Sequence, residues 1–222
     1  MMKRVFIAFV FSLFALSSFA QNLQVHYDFG EDRKMVTTTL EMFKPDKYGS
    51  TFFFVDFDYS SDSRNIDNGV SLAYWEIARS FKWNETQKFE PRIEFNSGKA
   101  TGFQIENAWL AGGQYTFNND DFSKILTVQA NYKYIKDKHD ASFQLTAVWG
   151  LHFMNRKLSF LGFADFWKED MFWGTEYRFL TEPQIWYNIN QNLSLGSEIE
   201  ISNNFAEEGF LVCPTLAAKW TF

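Results

Sequence analysis

A two-residue alternation of apolar and polar side chains along nearly the whole chain is the feature that most constrains its fold. Residues 141–153 place Ala, Phe, Leu, Ala, Trp, Leu and Phe at alternate positions, and residues 210–222 repeat the pattern up to the terminal Phe222. Side chains of a β-strand point alternately to its two faces. Each such segment therefore predicts a strand with one continuous apolar face, and the predicted fold class is all-β.

Turn-forming residues divide this pattern into twelve predicted strands. The strands are expected near residues 22–29, 35–43, 51–60, 70–82, 88–95, 102–117, 124–136, 140–153, 157–167, 178–188, 192–202 and 210–222. Short and long connections roughly alternate, as hairpins joined at opposite ends of a barrel require. No composition shift or linker divides the chain, so residues 21–222 are predicted to form one domain.

The first twenty residues have the three parts of a secretory signal peptide. Lys3 and Arg4 precede an apolar run, and small residues at 18 and 20 predict cleavage after Ala20. The chain carries 21 Lys and Arg against 27 Asp and Glu, so loss of Lys3 and Arg4 takes the formal net charge from −6 to −8. An acidic exported protein is a poor partner for nucleic acid, and Cys213, the only cysteine, cannot form an internal disulfide.

Alternation alone leaves open whether the apolar face points to a core or to lipid. A soluble lipocalin-like barrel would turn it inward, whereas a transmembrane barrel turns it outward around a polar lumen. Seven consecutive apolar alternate positions exceed the usual soluble strand of about 5 to 6 residues, and aromatic residues, 20% of the chain, cluster toward strand ends. We therefore predict a transmembrane antiparallel up-and-down β-barrel of about 12 strands that contacts outer-membrane lipid.

Particular segments resemble known outer-membrane families. The terminal Phe222 on an alternating strand resembles the assembly signal of bacterial outer-membrane proteins, which implies the barrel assembly machinery as a partner. Residues 52–59, 75–81 and 158–166 are similar, in order and spacing, to the Tsx-type nucleoside-specific channels of Gram-negative outer membranes. That resemblance implies a twelve-stranded monomeric barrel in the cell outer membrane, with a narrow, aromatic-lined passage for nucleosides or similar small neutral solutes.

Outward apolar faces would leave an acidic lumen. The inward register holds Asp28, Glu41, Asp56, Asp58, Glu76, Glu90, Glu94, Glu106, Asp165, Glu182, Glu198 and Glu200 against Lys88, Arg92, Lys133 and Lys219. Walls of one sign repel small anions and favour cations or neutral polar solutes.

Rings flanked by carboxylates could stack a nucleobase or sugar while accepting hydrogen bonds from its hydroxyls. The predicted substrate-binding residues are Phe52, Phe54, Asp56, Asp58, Glu76, Arg92, Glu106, Phe163 and Asp165. The alternative is that the inward aromatic residues pack a plugged interior.

Two other functions compete with a channel. One is a non-conducting structural or partner-binding barrel, and the other is an outer-membrane lipid-modifying enzyme. An enzyme would need a nucleophile with a base, and His152 shares a face with Ser142 while His26 lies two residues from Asp28. Such coincidences are common among three histidines and many serines, so no catalytic role is predicted. Glycine-rich phosphate loops and paired-cysteine zinc motifs are absent, so no cofactor or metal is predicted either.

Overall fold

A computed structural model describes residues 20–31, 33–61, 66–138, 142–174 and 176–222. The predicted signal peptide therefore lies almost entirely outside the described residues. Within them, no helix has the length and apolar character needed to cross a membrane.

Strands occupy every position where alternation predicts one. They are β1 Ala20–Asp28, β2 Val36–Asp46, β3 Gly49–Ser61, β4 Ile66–Phe81, β5 Phe89–Ala100, β6 Phe103–Asn118, β7 Lys124–Ile135, β8 Ser142–Phe153, β9 Leu158–Lys168, β10 Tyr177–Thr181, β11 Gln184–Asn188, β12 Leu193–Asn203 and β13 Phe210–Thr221.

The two short elements β10 and β11 are halves of one barrel strand. Both pair with β9 on one side and with β12 on the other, in an unbroken register. The gap falls at Glu182 and Pro183, and a proline has no N–H to donate to a neighbouring strand. The single predicted strand at 178–188 is therefore correct.

Pairing between first and last strands closes the sheet into a barrel. Each strand pairs antiparallel with its neighbour in sequence, and β1 pairs with β13 so that Leu23 lies opposite Trp220. With β10 and β11 counted as one, the barrel has twelve antiparallel strands, which confirms the predicted fold class. A closed barrel leaves no strand edge unpaired, as a bilayer requires.

Exposure of the strand residues shows which face points outward. On β1, Gln24, His26 and Asp28 are buried, whereas Leu23 and Val25 between them are exposed. On β9, Ser159 and Trp167 are buried while Phe160 and Phe166 are exposed. The polar face therefore surrounds the interior and the apolar, aromatic face forms the outer wall, which rules out the soluble barrel.

One section of the interior is closely packed because a glycine makes room for a tryptophan. Trp186 on β11 is 0% exposed, and its indole lies across Gly196 of β12. A Cβ at Gly196 would lie 2.2 Å from the Ile185 carbonyl oxygen and 2.5 Å from Trp186 Cε3. Nothing larger than glycine fits there without movement of the strand.

Candidate functional site

Three inward carboxylates pair with arginine. Arg33, from the connection between β1 and β2, places Nε 2.7 Å from Asp28 Oδ2 and Nη1 2.5 Å from Glu200 Oε2. Arg92 pairs with Glu94 two residues along β5. Asp28, Glu94 and Glu200 are 2%, 4% and 7% exposed. A charge can be buried this deeply when an opposite charge compensates it, and we call these three the arginine-paired carboxylates.

Six other inward carboxylates are half-buried and accept hydrogen bonds from neutral donors, namely Glu41, Asp56, Glu76, Glu90, Asp165 and Glu198. Four of them interact electrostatically in pairs across the interior, and we call these the lumen carboxylates: Asp56, Glu76, Asp165 and Glu198. Among the described residues, none of the four has a Lys or Arg nitrogen within 4.0 Å, and the one ionisable nitrogen near them is His26 Nδ1, 3.9 Å from Glu198 Oε1. No Lys or Arg of the described residues therefore forms an ion pair with them, although Lys133 acts electrostatically on Glu76 and Asp165, and Lys219 on Glu198, from a greater distance.

Hydroxyl and amide groups hold each lumen carboxylate in place. Thr39 Oγ1 donates to Asp56 at 2.5 Å, and Gln184 Nε2 donates to Glu198 at 2.5 Å. Tyr74 donates its hydroxyl hydrogen to Glu76 Oε1 at 2.6 Å.

Asp165 on β9 is held in the same way, by a hydrogen bond from the Thr146 hydroxyl. Neutral donors fix the orientation of a carboxylate while leaving its charge directed at the lumen.

The lumen carboxylates come from opposite walls. Asp56 on β3 acts electrostatically on Glu198 of β12, and Asp165 on β9 acts on Glu76 of β4. Four strands, β5 to β8, separate β4 from β9 around the wall. The carboxylates therefore face one another across the interior rather than along one side.

Aromatic rings line the wall beside Asp56 and Glu76. The Phe52 and Phe54 rings are 5.9 Å apart between centroids, and Phe54 is 5.9 Å from Tyr74. All three rings are half-buried on the inward face. Farther round the wall, inward-facing Val148 is 38% exposed. Solvent therefore reaches part of the lumen wall.

The predicted site residues do not all lie in this region. Phe52, Phe54, Asp56 and Glu76 come together on β3 and β4, and Phe163 and Asp165 lie on the far wall.

The other three predicted residues have different surroundings. Asp58 is buried and accepts a hydrogen bond from Thr37 Oγ1 at 2.7 Å, and Arg92 is buried against Glu94. Glu106 lies at the register shift between β5 and β6, and its side chain forms no hydrogen bond or ion pair with the described residues.

Sequence reasoning missed Tyr74, although its position two residues from Glu76 on one strand could have indicated it. It also missed a group of side chains at the loop end, where sequence gives no signal because the residues come from separate connections. Arg178 Cζ lies 4.9 Å from the Trp167 ring centroid and 5.2 Å from that of Phe205. Its Nη1 donates to Glu169 Oε2 at 2.5 Å.

Arg178 also fixes the connection at residues 204–209. Its Nε donates to the Asn204 carbonyl at 3.0 Å, and its Nη2 to the Phe205 carbonyl. Burial opposes ionisation of Glu169, but the Arg178 charge and the Trp167 and Arg178 hydrogen bonds outweigh it and lower the pKa of its carboxyl. We call Trp167, Glu169, Arg178 and Phe205 the loop-end latch.

At the opposite end, which carries the chain termini, an open pocket of about 420 Å³ is lined by polar residues. They are Asp121, Ser123, His152, Asn155 and Arg156. His152 Nδ1 shares a hydrogen bond of 2.9 Å with Ser159 Oγ. Ser142, the partner considered from sequence, instead donates to the Lys168 carbonyl.

His26 does not pair with Asp28 either. Its two ring nitrogens lie 3.1 Å from Thr215 Oγ1 and 3.1 Å from Gln24 Oε1. Neither histidine therefore adopts the pairing that a catalytic role inferred from sequence would use.

Comparisons with known proteins agree with the barrel. The family model described as Domain of unknown function (DUF5020) matches residues 20–222. The KdgM porin is similar with a TM-score of 0.55 at 10% identity, over 91% of this chain and 99% of that chain. It has also been solved in complex with disordered oligogalacturonate.

The outer membrane phospholipase A from Escherichia coli is similar with a TM-score of 0.57 at 9% identity, over 92% of this chain and 96% of that chain. No curated protein matches the sequence. At these identities the likeness shows the fold, and with the apolar outer wall it places the chain in an outer membrane.

Proposed function

We propose that this chain, which belongs to the DUF5020 family, is an outer-membrane channel for small polar solutes that are neutral or cationic, with nucleosides as the first class to test. The observation that carries the proposal is the difference between the two sets of inward carboxylates. The arginine-paired carboxylates are buried, whereas the lumen carboxylates form no ion pair with the Lys and Arg residues that the structure describes and are only half-buried.

Solvation explains why these two properties go together. An ionised carboxylate without a cation is stable only where water or a polar solute reaches it. The partial exposure of the lumen carboxylates thus supports a wet path between the β3–β4 wall and β9. In their ionised form these carboxylates give that path a negative potential, which attracts cations and repels anions.

The chemistry of the wall supports a solute with a flat ring and several hydroxyl groups. Phe52, Phe54 and Tyr74 offer ring faces, and the neighbouring Asp56 and Glu76 accept hydrogen bonds. Phosphorylated solutes and anionic oligomers, such as the oligogalacturonate in the KdgM complex, would be repelled. The sequence resemblance to Tsx-type channels supports the nucleoside class.

A non-conducting barrel is the rival that one observation favours. Trp186 is completely buried, lies 6.0 Å from the His26 ring between centroids and has Lys219 Nζ 4.1 Å above it. This packed section narrows the interior beside β1, β12 and β13. If the barrel conducts, solutes must pass this packed section on the side formed by β3, β4 and β9.

Further elements of the proposal follow from the sequence. We propose that the chain acts as a monomer without enzymatic activity, and that Phe222 is read by the barrel assembly machinery. The Phe222 N–H donates to the Gln21 carbonyl at 3.0 Å, so the terminal residue completes the pairing of β1 with β13.

Recordings in planar bilayers test the channel directly. The folded barrel, identified by a mobility shift on boiling, is expected to give stepwise currents that select K⁺ over Cl⁻. Liposomes containing it should swell with uridine and glucose and far less with uridine monophosphate. A folded barrel that gives no steps and no swelling would overturn the proposal in favour of the non-conducting barrel.

A pair of variants with equal changes in charge tests whether the lumen carboxylates set the ion selectivity. Neutralising the four lumen carboxylates as Asn or Gln should abolish the cation preference. The control removes four charges from exposed residues of the connections, namely Glu31, Glu85, Asp120 and Glu207. If both variants change selectivity equally, the lumen carboxylates do not set it.

A further inference from the structure

Buried polar atoms without partners are concentrated on one part of the inner wall. Ser80 Oγ, Arg92 Nε, Asn96 Oδ1 and both amide atoms of Asn131 are buried and have no hydrogen-bond partner among the described residues. Each of these four residues is less than a tenth exposed, and Asn131 is 5% exposed. We call them the polar wall patch.

Strand pairing places three of these residues on one line across the wall. Ser80 lies opposite Arg92, Arg92 opposite Gly112, and Gly112 opposite Asn131. Gly112 is itself exposed although its position is on the inward face of β6. A Cβ at Gly112 would lie 2.0 Å from the Ala130 carbonyl oxygen and 2.8 Å from Asn131 Oδ1, so the glycine leaves room for the Asn131 amide beside it.

The patch also joins the aromatic wall. Asn96 lies opposite Glu76 in the pairing of β4 with β5, and its Nδ2 donates to Glu76 Oε1 at 3.1 Å. The same oxygen accepts the Tyr74 hydroxyl, whose ring lies beside Phe54. A ring against Tyr74 and Phe54 would thus carry its substituents toward Asn96 and the rest of the patch.

The unpaired atoms specify the chemistry of a ligand. Asn131 offers two N–H donors and an acceptor, Arg92 Nε offers a donor, Asn96 Oδ1 an acceptor, and Ser80 a hydroxyl that does both. The charge of Arg92 is already matched by Glu94. A buried polar group without a hydrogen-bond partner destabilises the protein, and a ligand with complementary donors and acceptors removes that destabilisation. Hydroxyl groups, which donate and accept, satisfy such a mixed set without adding charge.

We infer that the polar wall patch is a binding subsite for the hydroxyl groups of a neutral polyhydroxylated solute, whose ring is held by Tyr74 and Phe54. The inference rests on the proposed channel and adds the place and chemistry of solute recognition. A solute that lacks vicinal hydroxyls is expected to bind more weakly at the same ring.

Block of the ion current measures this recognition. Uridine is expected to block the K⁺ current at a concentration at least fivefold below that of 2′,3′-dideoxyuridine, with glucose between them. Asn131→Leu should raise the half-blocking concentration of uridine about tenfold and remove the difference between the two nucleosides. Its K⁺ conductance should stay within about twofold of the wild type.

The matched control is Asn22→Leu, because Asn22 is an inward amide whose Nδ2 already donates to Glu41 at 2.9 Å. It should leave the discrimination between the nucleosides unchanged. Ser80→Ala removes a single oxygen and serves if Asn131→Leu does not fold, with an expected rise of about threefold. Unchanged block in both patch variants would overturn the inference while leaving the channel intact.

Titration calorimetry of uridine into the folded barrel in detergent separates the two proposals. If the wild type gives no current but binds uridine, and Asn131→Leu abolishes that binding, the channel is wrong and the subsite stands. If the wild type conducts but neither binds uridine nor is blocked by it or by glucose, the subsite is wrong and the channel stands.

Discussion

The arginine-paired carboxylates and the lumen carboxylates are the same chemical group on the same inward face, yet they have opposite surroundings. Arg33 closes over Asp28 and Glu200 at the loop end of β1 and β12, and water is excluded from both. Asp56 and Glu198 have only neutral donors and remain half-exposed. In these two sets, a carboxylate with an arginine partner is part of the packed wall, and a carboxylate with only neutral donors lines the solvent path.

Replacing Arg33 should cause the largest loss of stability among these variants. Arg33→Met leaves Asp28 and Glu200 buried without a cation, and breaking a buried ion pair in this way costs about 3–5 kcal/mol. Urea unfolding in detergent micelles should show a loss of that size. Lys157→Met, which removes an exposed charge, is expected to change stability by less than about 0.5 kcal/mol. Equal losses in both variants would mean that Arg33 does not neutralise the buried pair.

Asp28→Asn and Asp56→Asn should differ in stability, because they remove the same charge from the two environments. Asp28→Asn should lose about 2 kcal/mol, the usual contribution of a hydrogen bond to a charged group. Asp56→Asn should leave stability unchanged or slightly raised, since it removes repulsion from Asp58 and Glu41. Unfolding free energies measured side by side check this, and a greater loss in Asp56→Asn would break the distinction between the two sets.

Lys219 provides a smaller test of the lumen potential. It interacts electrostatically with Glu41 and Glu198 and lies over the Trp186 ring. Lys219→Met should raise the K⁺ to Cl⁻ permeability ratio about twofold, because one partly screened charge is removed. Reversal potentials in a KCl gradient measure the ratio, with the exposed Lys124→Met as control. A fall in the ratio would show that Glu41 and Glu198 do not face the conducting path.

Replacing Glu169 of the loop-end latch should cause the smallest loss of stability, and that loss should depend on pH. The pKa of Glu169 is lowered in the folded protein, so its contribution is complete above the ordinary glutamate value and is lost as pH falls through the lowered one. Glu169→Gln should therefore be less stable than the wild type by about 1 kcal/mol at pH 7, and equal to it well below pH 4. Unfolding measured at both pH values checks this, and a difference that persists in acid would exclude Glu169 as the titrating group.

The sequence predicts which face of each strand carries the candidate site, but not which of the inward residues are buried and which are partly exposed. All nine predicted site residues lie on strands, and Asp165 of β9 faces inward on the same face as buried Trp167. That Asp58 and Arg92 would be buried while Asp56 and Glu76 stay half-exposed could not be predicted. Their surroundings depend on residues of other strands, which alternation does not reveal.

The sequence by itself determined the strands and their two faces, because a period of two is a local property that each strand carries alone. The length of the apolar faces and the aromatic residues near the strand ends added the prediction of a lipid-facing wall. Only the tertiary structure decided which inward charges are neutralised. Asp28 and Glu200 meet Arg33 because β1 and β13 pair and bring β12 close. Asp165 acts electrostatically on Glu76 because the closed sheet turns β4 toward β9. Closure and register are properties of the whole sheet, so they fix the pairs that no single strand specifies.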